Sequence, residues 1–183
     1  MDLRNHFLLS MPALEDPNFS RTLTLVCDHS EHGAMGLVIN RPVAVTCGEI
    51  LAHLGIDAAT EHLTQQPVYY GGPVEPERGF VIHEPVGQWD GTLRIDDHLG
   101  VTTSRDILDA IARGAGPARF LLALGYSGWG AGQLEAELTQ NAWLTCPASR
   151  DILFDLPAED RLSAAAQHLG IDLDLLSSDA GHA

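Results

Sequence analysis

Hydrophobic positions along the chain fall into short runs separated by glycine, proline and polar clusters, and the spacing inside each run predicts its element. His6 to Met11 is a short apolar strand, ended by Pro12, which has no backbone donor. Thr22 to Asp28 (TLTLVCD) and Ala34 to Asn40 (AMGLVIN) predict two buried strands, and the turn Glu31-His32-Gly33 would join them as a hairpin. Asn40-Arg41-Pro42 stops the second. Val68 to Tyr70, Gly79 to His83 and Thr92 to Ile95 predict further strands. Arg119 to Leu124 (RFLLAL) is the most apolar strand, and Trp143 to Thr145 closes the series.

Helical spacing appears between these runs. Thr46 opens a helix, with Glu49 three residues on completing a capping box, Ile50, Leu51 and Leu54 on its apolar face, and Gly55 at its end. Residues 57–66 read as a polar connector. Thr103 or Ser104 caps a second helix, with Asp106 in its first turn and Ile107, Leu108 and Ile111 forming its buried stripe. A glycine-rich turn over 125–132 leads into a helix from Gln133 to Thr139. Pro157 stands at a first helical position, and Leu162, Ala165, Ala166 and Leu169 form the apolar face of a last helix ending at Gly170. Strict strand–helix alternation is absent. The pattern therefore predicts an α+β fold: a small curved or closed, barrel-like mixed β-sheet surrounded by helices. One domain spans residues 1–183, with 1–5 and 177–183 expected to fray.

Composition narrows the chemistry. Twenty-five Asp and Glu against ten basic residues give a formal charge of −15. All ten basic residues are arginines, which removes Schiff-base lysine chemistry and a lysine-bearing phosphate loop. Such a chain repels a phosphate backbone, so direct nucleic-acid binding is disfavoured. Three widely spaced cysteines, no C-x-x-C, and no apolar run long enough for a signal segment or a membrane span imply a reducing, cytoplasmic setting.

The candidate chemistry is sparse. Gly125 to Gly132 (GYSGWGAG) lies between a buried strand and a helix, the context of a nucleophile elbow, but Trp129 stands where G-x-S-x-G needs its last glycine. Its glycines would present N–H groups to an anion, or simply shape a tight turn. Asp28-His29-x-Glu31-His32 gathers metal-ligand types without a third spaced ligand. His83 before Glu84 is an acid–base candidate, and structural hydrogen bonding is the commoner role of such a histidine. Glu135 and Glu137, two apart on a helix, point to different sides and read as a solvated face. The expected ligand site joins the glycine turns with polar groups at strand ends: Asn40, Arg41, Gly71, Gly72, His83, Gly128, Trp129, Gly130 and Gln133. No metal, cofactor or catalytic residue is assigned.

These segments, in this order, resemble the YqgE/AlgH family of bacterial proteins. The carriers are Phe7-Leu8 with Met11-Pro12, Asp16-Pro17 with Phe19, GAMGLVINRP (Gly33 to Pro42), GGPV (Gly71 to Val74), RGF (Arg78 to Phe80) with His83, LGYSGWGAGQLEAEL (Leu124 to Leu138), Asn141 with Trp143-Leu144, LFDLP (Leu153 to Pro157) and the ending Gly181-His182-Ala183. The resemblance implies a single-domain α+β fold with cytosolic members. It also implies a transcriptional-regulator label tied to exopolysaccharide control, and it supplies no catalytic set. Family variation places Ala at the position of Ser127, tolerates other side chains at His32 and allows Glu at position 130, which weakens the serine, metal and carboxylate readings there.

Together the two readings favour a non-enzymatic regulatory or binding protein, monomer or homodimer, acting through a protein partner or a small anionic ligand. The rival reading is a hydrolase or transferase using His83 as general base.

Overall fold

A computed structural model describes the backbone of residues 1–180 and the side chains of residues 1–176. The elements run β1 (His6–Ser10), β2 (Leu23–Ser30), β3 (Gly33–Val38), β4 (Pro42–Thr46), α1 (Cys47–His53), α2 (Glu61–Thr64), β5 (Pro67–Tyr70), β6 (Val74–Glu84), β7 (Thr92–Arg94), β8 (Gly100–Thr102), α3 (Arg105–Ala112), β9 (Arg119–Gly130), α4 (Gln133–Thr139), β10 (Trp143–Pro147), a π-helical turn (Asp151–Asp155), α5 (Ala158–His168) and α6 (Leu173–Ala180). The strands join in one curled mixed sheet of order β10-β1-β2-β3-β9-β6-β8-β7, with β4 and β5 branching off β9. Only β5 and β9 pair in parallel among the described strand pairs.

The long strand β9 organises this sheet. Its first half, Arg119 to Leu124, lies between β5 and β6; its second half pairs with β3, Ser127 opposite Gly36 and Trp129 opposite Ala34. In the first half, Leu121 and Ala123 enter the main core with Phe7, Leu25 and Ile82, under the π-helical turn and α5. Leu122 points the other way, into a second core with Leu51, Val68 and Ile107 beneath α1 and α3. Alternate residues of a strand face opposite sides, so a strand covered on both faces reads as an unbroken apolar run, as RFLLAL does. A third core gathers Leu8, Val26, Trp129, Leu134 and Trp143 under α4.

The sheet forks where β9 changes partners. Gly125 holds φ +75° and bends the strand. Gly71 lies in the fork: its N–H donates to the Leu124 carbonyl (2.8 Å), and its carbonyl accepts from the Val38 N–H (2.9 Å) and the Ser127 hydroxyl (3.1 Å). Backbones meet here without room for side chains. A Cβ at Gly71 would lie 2.2 Å from the Gly125 carbonyl oxygen, and one at Gly72 would lie 2.1 Å from the Tyr126 carbonyl carbon.

Several elements differ from the sequence expectation. The glycine-rich stretch is strand through Gly130, because β3 offers it a partner of small residues. Pro42 opens β4 rather than ending structure, α2 forms inside the expected connector, and β6 begins at Val74 rather than Gly79. The strand β8 and the π-helical turn carry too few residues to show a period. Pro157 is the residue before α5 rather than its first. The N-terminal segment is tied down: Leu3 is buried, and its N–H donates to His29 Nδ1 at 3.0 Å. The tail forms α6 through Ala180, and the ending Gly181-His182-Ala183 lies outside the described residues. The Thr46 hydroxyl caps α1 as expected, accepting from the Glu49 N–H at 3.3 Å.

Steric demand at the fork predicts a graded response to Gly→Ala. Gly72→Ala should destabilise by about 3 kcal/mol or more, since the backbone must separate. Gly128→Ala should stay within about 0.5 kcal/mol, because its Cβ would meet only the Tyr126 ring, at an ordinary 3.5 Å. Urea denaturation of the two variants measures the contrast.

Candidate functional site

The nine expected site residues fall in separate parts of the fold, apart from the meeting of the two glycine motifs at the fork. His83 lies opposite Phe120 near the start of β9, and Trp129 lies near its end. Eight residues of strand lie between Phe120 and Trp129, and the nine steps measure about 30 Å along the extended chain. Gly71 and Gly72 meet the 125–132 stretch, at Gly125 to Ser127, whereas His83 and Gln133 lie towards opposite ends of β9.

Asn40 and Arg41 fasten the connection between β1 and β2. Asn40 Oδ1 accepts from the Leu23 N–H (2.9 Å), and its Nδ2 donates to the Arg21 carbonyl (3.0 Å). The Arg41 guanidinium donates to the carbonyls of Pro17 (3.1 Å), Asn18 (3.1 Å) and Ser20 (2.7 Å). It also lies over the Tyr70 ring, 5.5 Å from the centroid. A planar guanidinium with five donors can serve three carbonyls of one turn at once. Gly71 and Gly72 form the fork itself. Thus the Asn40 and Arg41 side chains are taken up by internal bonds.

At the far end of β9 the polar groups bond to one another. The Gly130 N–H donates to Gln133 Oε1 (3.0 Å), and Gln133 Nε2 donates to Glu137 Oε2 (3.0 Å). Glu137 Oε1 accepts from both indoles, Trp143 at 3.0 Å and Trp129 at 3.3 Å. The two indole rings meet edge to face, 6.0 Å apart at 78°, with Phe19 packed on both. Buried indole N–H groups need an acceptor, and one carboxylate on α4 serves two. The expected solvated face of α4 is therefore part of the fold. Glu135, on its other side, accepts from His29 Nε2 at 2.5 Å, and that bond holds the Glu135 carboxyl below its usual range. His29 Nδ1 is already the acceptor for Leu3, so Nε2 carries the proton.

His83 is closed off. It is 0% exposed, with Nδ1 2.9 Å from the Pro85 carbonyl and Nε2 2.7 Å from the Thr102 hydroxyl. Thr102 continues to Thr92 (2.7 Å), and Thr92 to the Trp89 carbonyl (3.1 Å). The two carbonyls can only accept. Satisfying all four contacts at once would use both ring protons and make an imidazolium. Burial opposes that charge and lowers the His83 pKa, against the smaller pull of the Pro85 carbonyl. The neutral ring keeps Nδ1–H on Pro85 and accepts from Thr102, and the Thr92 proton turns from Trp89 towards Thr102.

The other nucleophile and ligand types are equally engaged or buried. Ser127 is 0% exposed, its hydroxyl on the Gly71 carbonyl. Cys27, Cys47 and Cys146 are free and buried; burial pushes the Cys27 and Cys146 thiols up and the Cys47 thiol up to about 11. His32 is exposed and His29 is not, and among the described residues no group of three or more His, Cys, Asp or Glu could hold a metal ion. No helix among those residues is long and apolar enough to cross a membrane.

Two arginines carry structure that the sequence did not announce. Arg150 bridges Glu84 (2.5 Å) and Asp96 (2.7 Å), tying the segment after β10 to the end of β6 and the β7–β8 loop. Arg161, 3% exposed on α5, has no carboxylate partner among the described residues; it donates to the carbonyls of Leu156 (3.1 Å) and Ile39 and stacks on Tyr69 at 4.8 Å. The only sequence signal was its place beside the apolar face of α5.

A single mixed sheet forked at glycine contacts, with its polar motif residues turned to structural bonding, defines a class of small α+β proteins. This chain belongs to the AlgH-like family, whose profile matches residues 7–174. It is 53% identical over 180 residues to a UPF0301 protein of Nitrosococcus oceani, covering 98% of this chain and 96% of the relative. It is 52% identical over 183 residues to a UPF0301 protein of Nitrosospira multiformis, covering 100% and 98%. The fold is similar to the solution structure of the AlgH protein from Pseudomonas aeruginosa, with 52% identity, TM-score 0.83 and coverage of 100% and 97%. A Corynebacterium diphtheriae protein shares the fold at 20% identity and TM-score 0.73, over 96% of this chain and 91% of its own.

The closed environment of His83 has a pH signature. The folded state holds the ring neutral below the ordinary pKa of 6.5, whereas the unfolded chain takes up a proton there. Stability from this group is therefore full above about pH 6.5 and declines as pH falls towards the lowered folded pKa. His83→Gln should cost about 2 kcal/mol at pH 7.5 and should show a shallower loss of stability between pH 7 and 5, read by urea denaturation across that range.

Proposed function

We propose that this protein is a cytoplasmic, non-enzymatic regulatory protein that acts by binding a protein partner, so that any influence on transcription is indirect. The observation that carries this reading is the closure of His83: a general base must reach its substrate, and both nitrogens of this buried ring face internal partners. The buried Ser127 and the buried thiols support the same view. The internal bonds of the Arg41 and Gln133 side chains favour a protein partner over a small anionic ligand.

Electrostatics supports an indirect role. Five of the ten arginines pair with carboxylates: Arg4, Arg78, Arg105, Arg119 and Arg150. Arg41, Arg94 and Arg161 donate to carbonyls. A duplex needs free cations gathered on one surface to displace its counterions. The three free, buried cysteines fit a reducing compartment.

Two assays test the reading. The purified protein should turn over neither p-nitrophenyl esters nor p-nitrophenyl phosphate, and it should not retard duplex DNA in low salt. Turnover abolished by His83→Gln, or a retarded band that vanishes steeply with added salt, would contradict it.

A further inference from the structure

Alongside α5 runs a groove of about 420 Å³. Ala158, Leu162 and Ala166, four apart on the helix, lie along it, the two alanines buried at its floor and Leu162 half-buried. Ile171 and Leu173 add half-buried apolar surface, and Glu159, one turn before Leu162, stands beside them. Asp172 and Asp174, at the start of α6, add carboxylates to its lining. Arg21, in the connection between β1 and β2, is the one cation lining it among the described residues. A second groove of about 240 Å³ adjoins it, sharing Arg21, Leu162 and Leu173. From Ala158 to Gln167 the helix rises about 14 Å, the span of about four extended residues.

We propose that this groove docks a short segment of a partner protein in which apolar and basic residues alternate. The proposal rests on the protein-partner reading above and names its surface. In an extended segment, alternate side chains point to opposite sides, so apolar anchors would meet the half-buried Leu162, Ile171 and Leu173 while basic groups reach Glu159 and Asp172. Charge selects the occupant. From Asp151 to Asp174 the chain carries six carboxylates and one arginine, Arg161, which is turned into the core. Neither an anion nor a second copy of a chain charged −15 without a lysine complements that surface. The −15 field also speeds encounter with a basic partner. Arg21 makes no hydrogen bond or ion pair with a described residue through its guanidinium, and its donors suit the backbone carbonyls of the segment.

Fluorescence anisotropy with a labelled Arg-Leu-Arg-Leu-Arg amide, and with Glu-Leu-Glu-Leu-Glu amide as its counterpart, tests the proposal. The basic peptide should bind, and its Kd should rise about tenfold between 20 and 200 mM salt. The acidic peptide should not bind. Glu159→Gln with Asp172→Asn should weaken binding about tenfold, and Leu162→Gln should weaken it as well. Glu49→Gln, on α1, should leave it unchanged; circular dichroism confirms that each variant is folded. Equal binding of both peptides, indifference to the groove variants, or no binding by the folded protein in 20 mM salt would overturn the proposal. So would a concentration-dependent dimer broken by Leu162→Gln, which would make a second copy the occupant. These results leave the catalytic and DNA assays untouched, so the failure of the groove and of the broader reading are told apart.

Discussion

The close approach of bare backbone at Gly71, Gly72 and Gly125 sets the shape of the molecule. One strand, β9, serves two parts of a sheet because its bend at Gly125 sits against a segment with no Cβ to obstruct it. The Gly71 carbonyl then accepts from β3 and from Ser127 together. Everything downstream follows from that fork. The first half of β9 is apolar on both faces because helices cover both. Opposite the second half, Gly36 of β3 leaves room for the Trp129 ring, which lies 3.4 Å from where a Cβ would stand. Motifs that look like a ligand-binding nest in one dimension are the hinge of the sheet in three.

A second theme is how an acidic chain uses its few cations. Arg41, Arg150 and Arg161 each join segments distant in sequence, and two of the three do so through carbonyl oxygens. A guanidinium offers five donors in a plane, so one residue can satisfy several carbonyls left over by turns and helix ends. The carboxylates follow the same logic when buried neighbours need them, as Glu137 does for two indoles. The remaining carboxylates stay on the surface and give the protein its field.

Much of the fold was legible in the sequence. The β-branched runs of β2 and β3, the capping threonine of α1 and the two-faced apolar run of β9 each carry a local signal that survives into the structure. The glycine-rich stretch did not, because whether such a stretch turns or extends is decided by its partner strand, here the small residues of β3. The strands β4 and β8 are too short to show a period. The site was less legible than the fold. His83 and Gln133 are polar residues at strand ends, and sequence places them at the same kind of position without revealing that most of a long strand lies between them. Arg161 was invisible because its partners, the Ile39 carbonyl and the Tyr69 ring, are more than ninety residues away. The α5 groove was missed because its lining comes from three separate stretches.

The claim that the glycine motifs are architecture is tested most directly by native-state amide hydrogen exchange. The Val38 and Gly71 amides, bonded to the Gly71 and Leu124 carbonyls, should exchange only through global unfolding, with the free energy found by denaturation. Exchange of these amides through a local opening well below that free energy would contradict the account, since it would make the fork a mobile element rather than the point that fixes the sheet.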